Sequence, residues 1–260
     1  MDADLLKAAC AAVRPLLGVH LSLRAPEVIE HCGLLGFRWV FLDAEHQPIS
    51  PGNCYPLVAA AQLHGMPCIV RVPRLDTHMI EQFLDAGVLG IALPQVNSAA
   101  MLQRLVNAVK FAPEGTRGAS CRSRAANYGL IESPAEYYQR ANRSIVTVAL
   151  VESRDGIDAL EELVTVPGID YFAIGANDLG LSMGIRAGAA DPQVAAAITT
   201  ANRCIHQARK PQLAVASTIE QAREAERNGA RLIAVSDAAL LKNSATEFLE
   251  KFGMTSVISQ

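Results

Sequence analysis

Short runs of β-branched and other apolar residues recur along the chain, each followed by a longer stretch whose apolar positions return with helical spacing. Eight runs read as strands, at residues 16–23, 37–45, 67–73, 88–95, 145–153, 169–175, 212–217 and 230–237. The periodicity between them predicts helices, among them 51–64, 77–86, 98–110 and 219–228. Strands that alternate with helices of this length build βαβ units and a parallel sheet. Gly36, Gly65, Gly87 and Gly229 each stand between a helical stretch and the next strand, where a residue without Cβ accepts the left-handed conformation that ends a helix. Asp76 and Ser98 are placed to cap helix N-termini.

Eight strands favour a closed (β/α)8 barrel, the TIM-barrel form of the α/β class, over an open doubly wound sheet. No G-x-G-x-x-G follows the first strand, which weakens a dinucleotide-binding reading further. A chain of 260 residues suits one such barrel. With no internal repeat, linker or low-complexity tract, residues 1–260 read as a single domain. One connection is unusually long. Residues 112–130, A-P-E-G-T-R-G-A-S-C-R-S-R-A-A-N-Y-G-L, carry Arg117, Arg122 and Arg124. Such a segment either folds over the strand ends near the barrel mouth or stays a solvated basic loop.

Composition narrows the function. Half the residues are apolar, enough for a large core, and only 5% are aromatic, so stacking platforms for bases or sugars are not expected. A net charge of -3 offers no basic excess to neutralise phosphates, which argues against nucleic acid as a partner. No apolar run approaches the ~20 residues of a membrane span, and the N-terminus lacks a signal peptide's layout. Cys10, Cys32, Cys54, Cys68, Cys121 and Cys204 have no C-x-x-C spacing and read as free thiols of a cytoplasmic protein.

In a barrel, polar groups at the C-terminal ends of strands face the active-site mouth. The second strand ends with Asp43, Glu45 and His46, the third with Arg71, the fifth with Glu152, and the sixth runs into a turn with Asp178. Singly, each has an ordinary structural reading as an ion-pair partner, a helix cap or a surface residue. Together they suggest chemistry: two acids on neighbouring strand ends suit a hard divalent cation, with an arginine for charge stabilisation and an acid–histidine pair for proton transfer.

The chain resembles the HpcH/HpaI aldolase family of metal-dependent, class II pyruvate aldolases. The likeness is carried by G-F-R-W-V-F-L-D-A-E-H (36–46), I-V-R-V-P-R (69–74), F-L-D-A-G (83–87), A-P-E-G-T-R-G (112–118), V-E-S (151–153), V-P-G-I-D (166–170) and I-G-A-N-D-L-G-L-S-M-G (174–184), in the family's order. The resemblance implies that Glu152 and Asp178 are metal carboxylates. It puts Arg71 on the substrate's keto oxygen and makes His46 an acid–base residue oriented by Asp43. Backbone N–H groups from Gly175 through Ala176 and Asn177 to Asp178 are implied to hold the substrate carboxylate. Asp85 is implied to reach a neighbouring subunit's site in a homo-oligomer, a trimer or hexamer. Two positions depart from the family's pattern. Leu150 stands where glutamine is usual and is either a packed barrel-core leucine or an apolar floor beneath the metal that tolerates a longer 2-oxoacid, and Asn177 stands where a small residue is usual.

These residues suit a lyase that cleaves a 4-hydroxy-2-oxoacid to pyruvate, or a close 2-oxoacid, and an aldehyde, with Mg2+, Mn2+ or Co2+ as cofactor. A Schiff-base route needs a lysine in the mouth, and Lys7, Lys110, Lys210, Lys242 and Lys251 all fall outside the strands and read as solvated. The rival readings are a related lyase acting on a CoA thioester such as malyl-CoA or citramalyl-CoA, and a non-catalytic binding protein on a barrel scaffold.

Overall fold

The computed structural model describes residues 4–254. Eight parallel strands, β1 (Leu16–Leu21), β2 (Val40–Asp43), β3 (Cys68–Arg71), β4 (Gly90–Leu93), β5 (Val146–Val151), β6 (Tyr171–Ile174), β7 (Gln212–Ala216) and β8 (Ala230–Ser236), close into a barrel in chain order. β8 returns beside β1, with Leu16 to His20 opposite Leu232 to Ser236. Each expected strand is present and each is shorter than its apolar run, because residues at the rim leave the ladder for other partners. At the end of β1, for example, the N–H groups of Ser22 and Leu23 donate to the Asp237 carboxylate, both at 2.9 Å.

The helices follow the predicted periodicity. Thr77–Asp85, Ala99–Val109 and Ile219–Arg227 form where expected. The first of the four begins later, at Tyr55, and runs to Leu63, since residues before it fold into a turn in which Ser50 donates its N–H to Asn53 Oδ1 at 2.7 Å. Asp76 caps its helix by accepting from the Met79 N–H at 3.1 Å. Ser98 occupies a cap position with extended backbone, but its hydroxyl makes no capping bond. The four expected helix-ending glycines all take positive φ, from 68° at Gly65 to 102° at Gly36 and Gly87.

Alternation along the strands divides the core into two shells. Val40, Leu42, Val70, Ile91, Ala149 and Val151 face outward and are covered by the helices, whereas Trp39, Phe41, Ile69, Ala92, Val148, Tyr171, Ala173 and Leu232 fill the barrel. The large indole is accommodated by a glycine on the next strand: a Cβ on Gly18 would lie 2.4 Å from Trp39 Cε2. The indole N–H in turn donates to the Leu16 carbonyl at 3.0 Å, so its burial leaves no polar group unmet. Helix Leu5–Ala9 plugs the N-terminal end of the barrel, where the Leu6 carbonyl accepts from Tyr171 Oη at 2.5 Å.

The long segment 112–130 does not fold over the mouth; most of it is exposed, Arg122 included, as a solvated loop would be, but Arg117 is buried and Arg124 is partnered. It lies at the N-terminal end of the barrel, away from the mouth, because residues at helix C-termini and strand beginnings hold it there. Arg117 pairs with Asp85 at 2.8 Å, the Gly118 N–H donates to Glu81 at 2.8 Å, and Arg124 bonds Gln62. Arg117 is buried, its guanidinium 4.5 Å from the Phe111 ring centroid. The solvated-lysine expectation also needs correction at Lys110. That side chain is buried, its Nζ donating to the Asn142 carbonyl and, at 3.3 Å, to the Ile145 carbonyl. These carbonyls precede β5, so Lys110 belongs to the closed end of the barrel and is no Schiff-base candidate. Among the described residues no helix is long and apolar enough to cross a membrane.

Candidate active site

The C-terminal strand ends open on a cavity of about 470 Å³ whose wall includes Arg71, Leu150, Glu152, Gly175, Ala176, Asn177 and Asp178. A larger cavity, about 650 Å³, lies at the other end beside Gly87, Leu89 and Arg117, with no paired carboxylates in its lining. Arg71, Glu152 and Asp178 therefore meet at the smaller one, whereas Asp43, Glu45 and His46 stand outside its lining.

β2 and β3 supply a two-point contact. Asp43 and Arg71 are partners in register, and the guanidinium grips the carboxylate with two bonds, Nε to Oδ1 at 2.9 Å and Nη2 to Oδ2 at 2.6 Å. Burial works against the Asp43 charge, but the Arg71 bonds outweigh it and hold the carboxyl below its ordinary range. Glu45 Oε2 lies 3.3 Å from Arg71 Nε. Burial leads in raising the Glu45 carboxyl, with help from Asp43 and Asp178. Arg71 is thus a fixed positive charge braced by two acids, with its edge in the cavity wall.

His46 is arranged differently from expectation. Asp43 Oδ1 accepts the backbone N–H groups of Glu45 and His46, at 3.1 and 3.3 Å, and both carboxylate oxygens are engaged by Arg71, so the acid does not orient the imidazole. The ring instead stands 3.8 Å from Glu45 Oε2 and is mostly exposed at the rim. Glu45 is thus the acid adjacent to both Arg71 and the imidazole.

Glu152 follows β5 and is buried. Its Oε1 accepts the Gln95 N–H at 2.8 Å, a bond made possible by positive φ at Gln95 (52°), and its Oε2 is sealed without any hydrogen-bond partner. Burial, reinforced by the negative charges of Glu45 and Asp178, pushes the Glu152 carboxyl up to about 7. Gly175 presses on this side chain. Asp178 lies in the first turn of helix Ala176–Ser182, exposed at the cavity wall. The helix opens on Gly175, which has no capping side chain, so the N–H groups of Ala176, Asn177 and Asp178 are left for a ligand. Gly175 itself does not join them, because its N–H donates to the Val151 carbonyl at 3.0 Å. Leu150 packs in the barrel interior one step below Glu152, as strand alternation requires. Asp85 is absent from this site: it stands at the far end of its own barrel, paired with Arg117.

Unspent N–H groups, a braced guanidinium and acids around so small a mouth give the (β/α)8 barrel the parts of an enzyme site. Residues 16–242 match the model of the HpcH/HpaI aldolase/citrate lyase family, and the chain belongs to that family. It is 34% identical over 248 residues to the hydroxypyruvate/pyruvate aldolase of Deinococcus radiodurans, across 95% of this chain and 88% of the relative. Identity to the 5-keto-4-deoxy-D-glucarate aldolase of Klebsiella pneumoniae subsp. pneumoniae is 30% over 247 residues, 95% of both chains. The crystal structure of an HpcH/HpaI aldolase/citrate lyase family protein from Burkholderia cenocepacia superposes with a TM-score of 0.89 at 27% identity, covering 95% of this chain and 98% of that one. The protein is a carbon–carbon lyase of the aldolase type.

Proposed function

We propose that the enzyme reversibly cleaves a 4-hydroxy-2-oxoacid to pyruvate, or a close 2-oxoacid, and an aldehyde, with a divalent cation held by Glu152 and Asp178. The observation that carries this reading is the Glu152 oxygen that is buried without a partner in the same wall as Asp178 and Arg71. A carboxylate oxygen left so is costly unless a cation meets it. Among the described residues no three His, Cys, Asp or Glu side chains gather as a self-sufficient metal site. Two protein carboxylates with a chelating substrate fit that donor set, and oxygen donors suit Mg2+, Mn2+ or Co2+. A cation held by these two residues would supply Lewis-acid chemistry to the oxoacid.

The chain's own residues do the rest. The N–H groups of Ala176, Asn177 and Asp178 receive the substrate carboxylate. Arg71 faces the keto oxygen and stabilises the negative charge that collects there as the C3–C4 bond breaks. His46 takes the proton from the C4 hydroxyl, the aldehyde departs, and a proton added at C3 completes pyruvate. With Asp43 occupied by Arg71, its part is to hold the guanidinium rather than the imidazole. Six unpaired thiols suit a reducing compartment, so the reading includes a cytoplasmic enzyme. It also includes a homo-oligomer, a trimer or hexamer, since Asp85 could serve a site only in another copy. Neither CoA-thioester cleavage nor a non-catalytic barrel has an observation in its favour, and the relatives above are aldolases.

The test is aldol addition of pyruvate to a panel of aldehydes after exhaustive chelation, then with Mg2+, Mn2+ or Co2+ restored. Turnover that vanishes on chelation and returns with metal is expected. Undiminished turnover in excess chelator overturns the metal assignment.

A further inference from the structure

One side chain of the cavity has no part in the chemistry above. His20, on β1, lies in the wall that also holds Arg71, Leu150 and Glu152. Phe41, Ala92, Val148 and Leu150 are apolar members of the same wall, and the charges of Asp43, Arg71 and Asp237 also act on the imidazole. The imidazole stands edge-on to Phe41, ring centroids 5.5 Å apart at 67°, and its Nε2 is sealed without a hydrogen-bond partner. In a barrel interior filled by Trp39, Phe41, Val148 and Ala173, a packing role alone is served better by a hydrocarbon, and an unmet ring nitrogen is a liability. As the ring stands, that nitrogen is closed to a ligand. A half-turn of the ring exchanges nitrogen and carbon on each edge within the same outline, so a nitrogen can be turned to the cavity side.

We infer that His20 is a specificity-determining residue that hydrogen-bonds a hydroxyl on C3 of the 2-oxoacid donor, so that the enzyme takes 3-hydroxy-2-oxoacids, of which hydroxypyruvate is the simplest, in preference to pyruvate. This rests on the aldolase reading given above. With the donor's carboxylate on the N–H groups of Ala176 to Asp178 and its keto oxygen toward Arg71, the remaining substituent, C3, is the one left to meet the barrel floor. There His20 stands against Phe41 in the wall that Leu150 shares. Burial, the leading influence, lowers the imidazole's proton affinity, and a neutral ring offers one donor and one acceptor to a hydroxyl. A site built to bond a hydroxyl discriminates strongly against an analogue lacking it, whereas an apolar pocket barely distinguishes the two.

The experiment compares kcat/KM for hydroxypyruvate and pyruvate with one fixed aldehyde and saturating metal, in the wild type, His20→Phe and His20→Gln. The wild type is expected to favour hydroxypyruvate. His20→Phe is expected to lower that ratio about tenfold or more, whatever happens to the absolute rates, and His20→Gln, which keeps an amide in place of the ring, to recover part of it. A ratio in His20→Phe within twofold of wild type overturns the inference, as does a wild type that uses pyruvate and ignores hydroxypyruvate. A wild type that joins neither donor to any aldehyde instead overturns the aldolase reading on which the inference stands. Circular dichroism and a melting curve on each variant identify a misfolded protein, and His20→Leu then replaces His20→Phe in the same comparison.

Discussion

The Cα of Gly175 lies so close to Glu152 that a Cβ there would come within 2.5 Å of Oε2 and 2.6 Å of the glutamate Cβ. Gly175 has an ordinary φ of -90°, so its backbone does not need glycine; the neighbouring carboxylate does. Gly175→Ala is therefore expected to displace Glu152 while leaving the helix and barrel intact. Turnover should fall about 100-fold or more, the scale of a 1 Å misplacement at a reacting centre, with the thermal midpoint little changed. Wild-type kcat in a folded alanine variant contradicts a fixed role for Glu152.

Arg71 and His46 should separate when enolisation is observed alone. Exchange of pyruvate's methyl protons for deuterium, followed by NMR, reports that step without an aldehyde. Arg71→Ala removes a braced charge, a loss of several kcal/mol in transition-state stabilisation, whereas an acid–base group is worth about 10²–10⁴-fold and water can replace it in part. His46 is mostly exposed, which makes replacement by water easier. The alanine variant at Arg71 should thus exchange more slowly than that at His46, and exchange at the wild-type rate would remove Arg71 from the keto oxygen.

Lys110 makes stability depend on alkaline pH. Burial, with a smaller contribution from the charge of Lys7, lowers its ammonium from 10.5 to about 8. Between those values the unfolded chain holds a proton that the folded chain has released, so raising the pH favours folding through this residue, and below about pH 8 the cost of the buried charge is present in full. Measured against Lys110→Met by urea unfolding, the wild type should gain on the order of 2 kcal/mol from pH 8 to pH 10. A difference between the two proteins that is flat across this range shows an unperturbed lysine.

Assembly is checked through Asp85. Light scattering should find a trimer or hexamer at working concentration. Asp85→Asn keeps the size of the side chain and a hydrogen bond to Arg117 while removing its charge. If Asp85 serves a neighbouring site, mixing this variant with a variant inactive at Glu152 should restore part of the activity in the mixed oligomers. A fully active monomer removes the shared-site idea.

Which of these relationships were legible in the chain follows from their range. Eight apolar runs, helical spacing between them, and glycine at helix ends are local properties, decided by side-chain alternation and by backbone sterics. They predicted the eight strands of the barrel, three helices to within a residue at either end, and the cluster of polar residues at strand termini. Ser98 and the start of the helix at Tyr55 were misread because a cap and a turn depend on individual hydrogen bonds that residue type only makes available.

The sequence by itself determined the barrel, the family, and the gathering of Asp43, His46, Arg71, Glu152 and Asp178 at one mouth, since strand polarity sends every C-terminal end the same way. Only the tertiary structure decided which of them touch. In register across β2 and β3, Asp43 meets Arg71 and leaves His46 beside Glu45. It also decided which end of the barrel each long-range contact serves: the 112–130 segment and Lys110 were drawn to the closed end by Asp85, Glu81 and the carbonyls before β5. The unmet nitrogen of His20 and the unmet oxygen of Glu152 were equally invisible in the chain. Whether a polar atom is satisfied depends on every strand that surrounds it, and closure of the barrel brings together strands more than a hundred residues apart.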